Sequence, residues 1–385
     1  MTMTSSAQQI HALLPQIRGR REEIERAREL PRDLVQELQA TGIFRLGVPR
    51  ALGGDEGEPL DAMRAIETVA TADGSTGWCI MLGIGSGVVA GYMPDAGARE
   101  IFADPCVPHA LVAEPAGAAV PVDGGFRVSG RWKFASGITY ATWVVAGCVV
   151  IEDGQPRMTP TGMPEVVHVV LPVSEVQIHD TWYVSGLCGT GSNDLSCADV
   201  FVPERRTFSL FDSSGYRPEP QYQMPVLTLV APAIASVSLG IARAALDELC
   251  ELAVSKVPTM SMSRLAEKPV TQVEIARAEG ALGAARSYLY DTLDGIWETV
   301  VAGGQPTMRQ RSLCRIASIQ AVETASRVAH TASTLAGGTS VYNMSSLQRH
   351  ARDADVITHH ITQSRQVWED TGRVLLGFDP LFPLF

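Results

Sequence analysis

The apolar pattern of this chain changes period twice, from about 3.6 residues to about 2 and back, and few folds accommodate that order. Residues 1–108 read as helical. Pro31 opens a helix with Leu34, Val35 and Leu38 on one face, and Gly42 stops it. Pro49, Gly53, Gly54 and Gly57 mark a loop, after which Leu60, Met63, Ile66 and Val69 restore helical spacing. Ser75 is the expected N-cap of an apolar helix from Trp78 to Tyr92. Residues 109–215 hold short β-rich runs (HALVAEP, GFRVSG, TWVVAGCVVI, EVVHVVLP, VQIHDTW and CADVFVP) separated by Gly and Pro. Residues 216–385 return to helix in four long segments, 226–255, 269–303, 308–336 and 345–376, with small residues spaced as in an antiparallel bundle. Gly337, Gly338 and Asn343 form the loop before the last of them, and the tail FDPLFPLF is expected to dock on the body or on a neighbouring subunit.

A length of 385 residues implies two or three domains. A charged fraction of only 19% implies extra burial, in subunit interfaces or around a cofactor. The net charge of −11 without a basic patch argues against nucleic-acid binding. Seven scattered cysteines, none in a C-x-x-C, form a reduced set that fits the cytoplasm and neither a disulfide framework nor a zinc site. The N-terminus lacks a cationic segment followed by an apolar run, so no signal peptide is expected. The apolar run Val226–Ala242 contains Pro232 and flows into an amphipathic helix, which points to a buried bundle helix and away from a membrane span.

Most catalytic signatures are missing. There is no phosphate-binding G-x-x-x-x-G-K-[ST], no nucleophile elbow and no G-x-G-x-x-G between strand and helix. Glu165 and His168 have metal-ligand lettering, but in a β-run they face opposite sides, so no metal is expected. Three stretches remain. Gly124–Gly147 reads as two strands around a turn followed by a third, with Ser136 at a small-residue corner between Ala135 and Gly137, after Trp132 and Phe134. Such a corner is either an ordinary Gly-terminated strand end or the edge of a site for a planar cofactor. Gly186–Asp194 is rich in glycine and hydroxyls; it is either a plain turn or a set of donors for phosphate or ring carbonyls. The third stretch is LQRHARDADVITHHITQ in the last helix.

Taken in order, these stretches resemble the acyl-CoA dehydrogenase superfamily over nearly the whole chain. LPRDLVQELQATGIFRLGVPRALGG is similar to its opening helix and loop, and VAEPAG with GFRVSGRWKFASG to its flavin-facing β segment. GTGSNDLSCADVFVP resembles its second flavin loop, and AGGTS with LQRHARDA its C-terminal signature. The resemblance implies an α+β fold with an N-terminal α-helical domain (1–108), a central β-barrel domain (109–215) and a C-terminal four-helix bundle (216–385), assembled as a homotetramer or homodimer. It assigns flavin contacts to Trp132, Phe134, Ala135, Ser136, Gly137, Thr190, Gly191, Ser192, Gly337, Gly338 and Arg352, and a substrate pocket to Trp78 and Ser86.

Within the superfamily two chemistries compete. Many dehydrogenases carry a glutamate base after the Arg-Asp of the last helix, and here that position is Ile361, which cannot take a proton. Arg349, Arg352, Asp353 and His360 instead resemble the two-component flavin-dependent monooxygenase branch. That resemblance implies reduced FAD or FMN and O2, oxygenation of an aromatic or heteroaromatic substrate through a C4a-(hydro)peroxyflavin, and a separate NAD(P)H-dependent flavin reductase. Ser136 would then stand near flavin N5, and His360 would deprotonate the substrate or hydrogen-bond the distal peroxide oxygen. His359, about 100° round a helix, would point elsewhere. Phenol-hydroxylating members are expected to have a further histidine where this chain has Ser86, so an indole-like ring or a sulfur or nitrogen centre fits as well as a phenol. The small residues from Gly83 to Gly91 suit either a roomy pocket or close helix packing. The alternatives are an acyl-CoA dehydrogenase with a displaced base and a non-catalytic binding subunit.

Overall fold

The structure, a computed structural model, describes residues 5–210 and 217–381. Six helices come first: α1 (Ser5–Gly19), α2 (Arg21–Ala27), α3 (Arg32–Ala40), α4 (Pro59–Ala70), α5 (Gly74–Val88) and α6 (Asp95–Ile101). Leu34, Val35 and Leu38 are the buried stripe of α3, and Gly42 ends that region in the left-handed conformation that suits a glycine. Helix α5 begins earlier than expected and is capped by Asp73, whose carboxylate accepts from Thr76 N at 2.7 Å, not by Ser75. Asp73 has the extended backbone an N-cap requires, and this leaves Ser75 Oγ free for another partner.

The middle of the chain forms one eight-stranded sheet: β1 (Ala110–Val122), β2 (Gly125–Ala135), β3 (Trp143–Glu152), β4 (Gln155–Pro156), β5 (Val166–Pro172), β6 (Gln177–His179), β7 (Asn193–Pro203) and β8 (Thr207–Phe208). The strand order is β6-β7-β2-β1-β3-β5-β8, with β4 hanging off β3. Strands β1 and β3 run parallel; the other pairings are antiparallel. GFRVSGRWKFA is therefore one strand, not two around a turn. It is held on one edge by β1 and on the other by β7, and the expected break is absorbed as bulges. Glu165 pairs with Arg157, whereas His168 is buried in the sheet beside Phe208, so the two do not converge.

The bundle consists of α7 (Leu227–Ser255), α8 (Pro269–Val301), α9 (Met308–Ala336), α10 (Ser346–Ile357) and α11 (Arg365–Leu375). Helix α7 packs on α4, α9 and α10, tying the first and last parts of the chain into one core. Among the described residues two helices are long and apolar enough to cross a membrane, Gly74–Gly91 and Leu227–Ser255, and 78% and 83% of their apolar windows are buried inside the protein. The expected helix 345–376 is broken at 358–364. His360 and Ser364 take extended backbone there, and the run THHITQS has polar and β-branched side chains that favour caps over helix interior. The described part of the C-terminal tail folds back on α11, with Leu381 N donating to Asp370 Oδ1 at 2.8 Å; residues 382–385 lie outside the described residues.

Candidate active site

The site begins where β2 ends. In a regular strand Trp132 and Phe134 would share a face. The register with β7 shifts between Trp132 and Ala135, and Phe134 takes a left-handed backbone with φ of 63°. The two rings therefore part company. Trp132 is 0% exposed, deep in the sheet core with its Nε1–H donating to Gly147 O at 2.7 Å. Phe134 is 64% exposed and meets Trp182 edge-on, with ring centroids 6.1 Å apart. A non-glycine left-handed residue costs roughly 1 kcal/mol or more and survives only where its surroundings enforce it. Here β7 and the Thr190 loop do so, because Gly137 N, just past the corner, donates to Thr190 O at 2.9 Å.

Behind this exposed ring lies a buried chain of hydroxyls. Trp78 Nε1–H donates to Ser136 Oγ at 3.2 Å, Ser136 Oγ and Ser192 Oγ are 2.5 Å apart, and Ser192 Oγ and Thr190 Oγ1 are 2.7 Å apart. The direction of the chain follows from its far end. Thr190 Oγ1 donates to Leu187 O at 2.9 Å, and a carbonyl can only accept. With its one proton spent there, Thr190 accepts from Ser192, and Ser192 accepts from Ser136. Ser136 Oγ is thus left as an acceptor, filled on one side by Trp78. A flat ring carrying an N–H fits this place: an uncovered aromatic face, an oxygen lone pair and a glycine (Gly137, φ 73°) stand together at the end of one strand.

Trp78 also meets His360. The two rings are edge-to-face with centroids 5.9 Å apart. His360 Nδ1 accepts from Thr362 N at 3.2 Å and lies 2.9 Å from Thr362 Oγ1. A backbone N–H cannot accept, so in the neutral ring the proton sits on Nε2. Burial pushes the His360 pKa down to about 4, so the ring is neutral near pH 7. Its neighbours face away: Ile361 is 76% exposed, and His359 is exposed beside Asp355.

Ser136, Gly137, Thr190, Gly191, Ser192, Trp78 and His360 are thus brought into one cluster, with Ala135 buried beneath and Phe134 at its rim. Trp132 is a correction, since a ring sealed in the sheet core offers no face to a ligand. Arg352 is another. Its guanidinium is held by Glu25 Oε1 at 2.5 Å, by Gln348 at 2.6 Å and by Ser185 O, so it props the Gly186–Ser192 loop from behind. Gly337 and Gly338 lie at the exposed C-terminal end of α9, where the single chain places no member of the cluster. Ser86 donates to Gly83 O at 2.8 Å and accepts from His109 N at 3.3 Å, so its proton is already committed. Three contributors were not singled out as site residues. Ser75 Oγ accepts from Gly189 N at 3.1 Å, Asp353 Oδ1 accepts from Leu187 N at 2.6 Å, and Thr362 fixes the tautomer of His360. Only Thr362 had a local signal, a hydroxyl residue two positions past a histidine in a cap-prone run.

The order of the three parts and the cluster at their junction define the family. The chain belongs to the acyl-CoA dehydrogenase family: residues 13–103 match its N-terminal domain and residues 233–365 its C-terminal domain. Indole-3-acetate monooxygenase from Pseudomonas putida is 36% identical over 383 residues, 98% of this chain and 95% of that protein. The flavin-dependent monooxygenase oxygenase subunit HsaA from Rhodococcus jostii (strain RHA1) is 32% identical over 356 residues, 90% of this chain and 91% of that protein. The crystal structure of 3-HSA hydroxylase from Rhodococcus sp. RHA1 superposes with a TM-score of 0.92 at 30% identity and covers 99% of both chains.

Proposed function

We propose that this protein is the oxygenase component of a two-component flavin-dependent monooxygenase that places one oxygen atom of O2 on an aromatic or heteroaromatic ring. The balance is reduced flavin, O2 and substrate C–H giving oxidised flavin, substrate C–OH and water. The observation that carries this reading is the one-way hydroxyl chain that leaves Ser136 Oγ as an acceptor, bonded to a Trp78 whose ring also meets a neutral His360. Bound reduced flavin supplies the two electrons that activate O2. The chain's own residues do the rest. Phe134 and Gly137 give the ring a place to lie. Ser136 Oγ would accept from a flavin N–H and so hold a proton that water would otherwise take. Trp78 and the buried hydroxyls keep solvent off that edge.

His360 works as a donor through Nε2–H, toward a reacting oxygen or the substrate. Acting as a base through Nε2 would require the other tautomer and the loss of the Thr362 N–H bond. The dehydrogenase alternative lacks its carboxylate: position 361 is an aliphatic side chain, and the buried Asp353 is engaged by Leu187 N. The Ser86 proton is spent on Gly83 O, so Ser86 offers no free donor of its own, and an indole-like ring suits the site as well as a phenol. FAD or FMN reaches the site from a separate NAD(P)H-dependent reductase in the cytoplasm, and the exposed Val341, Tyr342 and Met344 beside the α9 end suit a homo-oligomer contact. The test supplies anaerobically reduced flavin, ¹⁸O2 and a panel of indoles and phenols. One ¹⁸O atom per product is expected. Flavin reduction by an acyl-CoA, with no oxygenated product from any aromatic, overturns the reading.

A further inference from the structure

We propose that Asp353 is a positioning residue for this site, a latch on the Leu187 peptide where the hydroxyl chain from Ser136 ends. The inference rests on the flavin reading above and concerns a residue on a different domain from the corner it serves. Leu187 is buried, yet it takes left-handed backbone, φ 51° and ψ 34°. A leucine is rarely found there, so something must hold it. Both ends of the residue are held. Its N–H donates to Asp353 Oδ1 at 2.6 Å. Its carbonyl accepts from Thr190 Oγ1 at 2.9 Å, Thr190 N at 3.1 Å and Trp182 Nε1 at 3.3 Å. The loop lies directly on α10, since a Cβ on Gly186 would come within 2.4 Å of Arg352 O.

Asp353 itself is 4% exposed, and a carboxylate is costly to bury without a specific use. Burial raises its pKa to about 7; the Leu187 N–H bond pulls it back, the charges of Asp73 and Glu25 add to the rise, and Arg352 opposes them. Asp353 touches no group of the Ser136 corner. It acts through geometry: with the Leu187 carbonyl fixed, the Thr190 proton has a permanent acceptor and the chain keeps one direction. With that carbonyl swung away, Thr190 and Ser192 are free to turn their protons toward Ser136, and the corner ceases to be a dedicated acceptor.

Hydrogen–deuterium exchange on the flavin-free protein reads the latch without any catalysis. In Asp353→Ala the Leu187 amide should exchange at least about tenfold faster, the weight of one lost buried hydrogen bond. Asp353→Asn keeps an oxygen acceptor and should restore protection. In turnover, Asp353→Ala should release several-fold more H2O2 per product at unchanged substrate KM, and Asp353→Asn should recover most of the yield. If Asp353→Ala does not fold, Gly186→Ala lifts the loop off α10 with the carboxylate intact and should give the same local loosening. Wild-type protection and yield in the variants overturn the proposal. So does faster exchange spread evenly over the bundle without rescue by Asn, the mark of a general core residue. A wild-type enzyme that makes only peroxide with every aromatic refutes the oxygenase reading instead, and the exchange result still decides the latch.

Discussion

Trp78 meets two groups that are fixed in opposite ways. Ser136, at the end of β2, is locked by partners drawn from every part of the chain: Trp78 from α5, Ser192 and Thr190 from the loop before β7, and through Leu187 the α10 carboxylate. His360 lies in the 358–364 break, and its ring hydrogen bonds reach only Thr362, two residues away. The corner fixes the direction of a hydrogen-bond chain by long-range assembly. The turn fixes a tautomer by local capping and burial. Damage to the corner should therefore spread to the loop and to flavin retention, whereas damage at the turn should stay with the reaction.

The largest effect expected is at the turn. His360→Ala should lower product formation about 100-fold, in the range for loss of one preorganised donor in a dry site, with flavin affinity and fold unchanged. Stopped-flow mixing of the reduced complex with O2, with product quantified, checks it. Full turnover would remove His360 from the chemistry and leave the corner alone in charge. Next comes Ser136→Ala, which strands the Trp78 N–H and the Ser192 oxygen and removes the acceptor. Product per reduced flavin should fall about tenfold, with H2O2 rising to match and a loss of about 1–2 kcal/mol in stability. A smaller change follows at the end of the chain. Thr190→Val keeps the shape but cuts the bond to Leu187 O, and yield should drop about threefold, with Thr190→Ser restoring it. A yield unchanged by Thr190→Val would mean that the direction of the chain has no bearing on coupling.

Much of the corner could be read locally, because small residues and hydroxyls after a β-run are a composition signal. Its key distortion could not. Alternation places Trp132 and Phe134 on one face, and only the register shift against β7, set by residues some sixty positions away, sends one ring inward and the other out. The helical and β parts were visible in periodicity, yet the last helix was overextended, since THHITQS is weakly helical rather than forbidden and its break is decided by the caps at His360 and Ser364. Ser75 has the residue type and place of a helix cap. Asp73 won that role, and the freed hydroxyl went to Gly189 N, a contact between regions more than a hundred residues apart. Asp353 stood in a recognisable Arg-Asp pair, but nothing in the pair says that its acceptor duty is to a strained leucine.

The smallest effect expected is none, and it separates the two regions most cleanly. His360 is neutral with a pKa of about 4, so turnover should show no histidine inflection between about pH 5.5 and 8. An inflection near 6.5 that disappears in His360→Gln would restore His360 as a solvent-accessible titrating base. Stability should behave otherwise. His109, His168 and His360 are each held near 4 by burial against an ordinary value of 6.5. Below about pH 6.5 the unfolded chain takes up protons on all three that the folded chain refuses, and His350, also lowered by burial, adds to this, so the histidines make unfolding easier as pH falls, most steeply at about pH 5 to 5.5 and little below 4. Asp353, raised to about 7 in the fold, binds its proton before the unfolded chain does and offsets part of that slope. Melting temperature measured from pH 7 to 4 checks the sign. His360→Gln should make the slope shallower by one proton's share, leaving the contributions of His109, His168 and His350 and the opposing one of Asp353. Ser136→Ala, which removes no titrating group, should lower the whole curve without changing its slope.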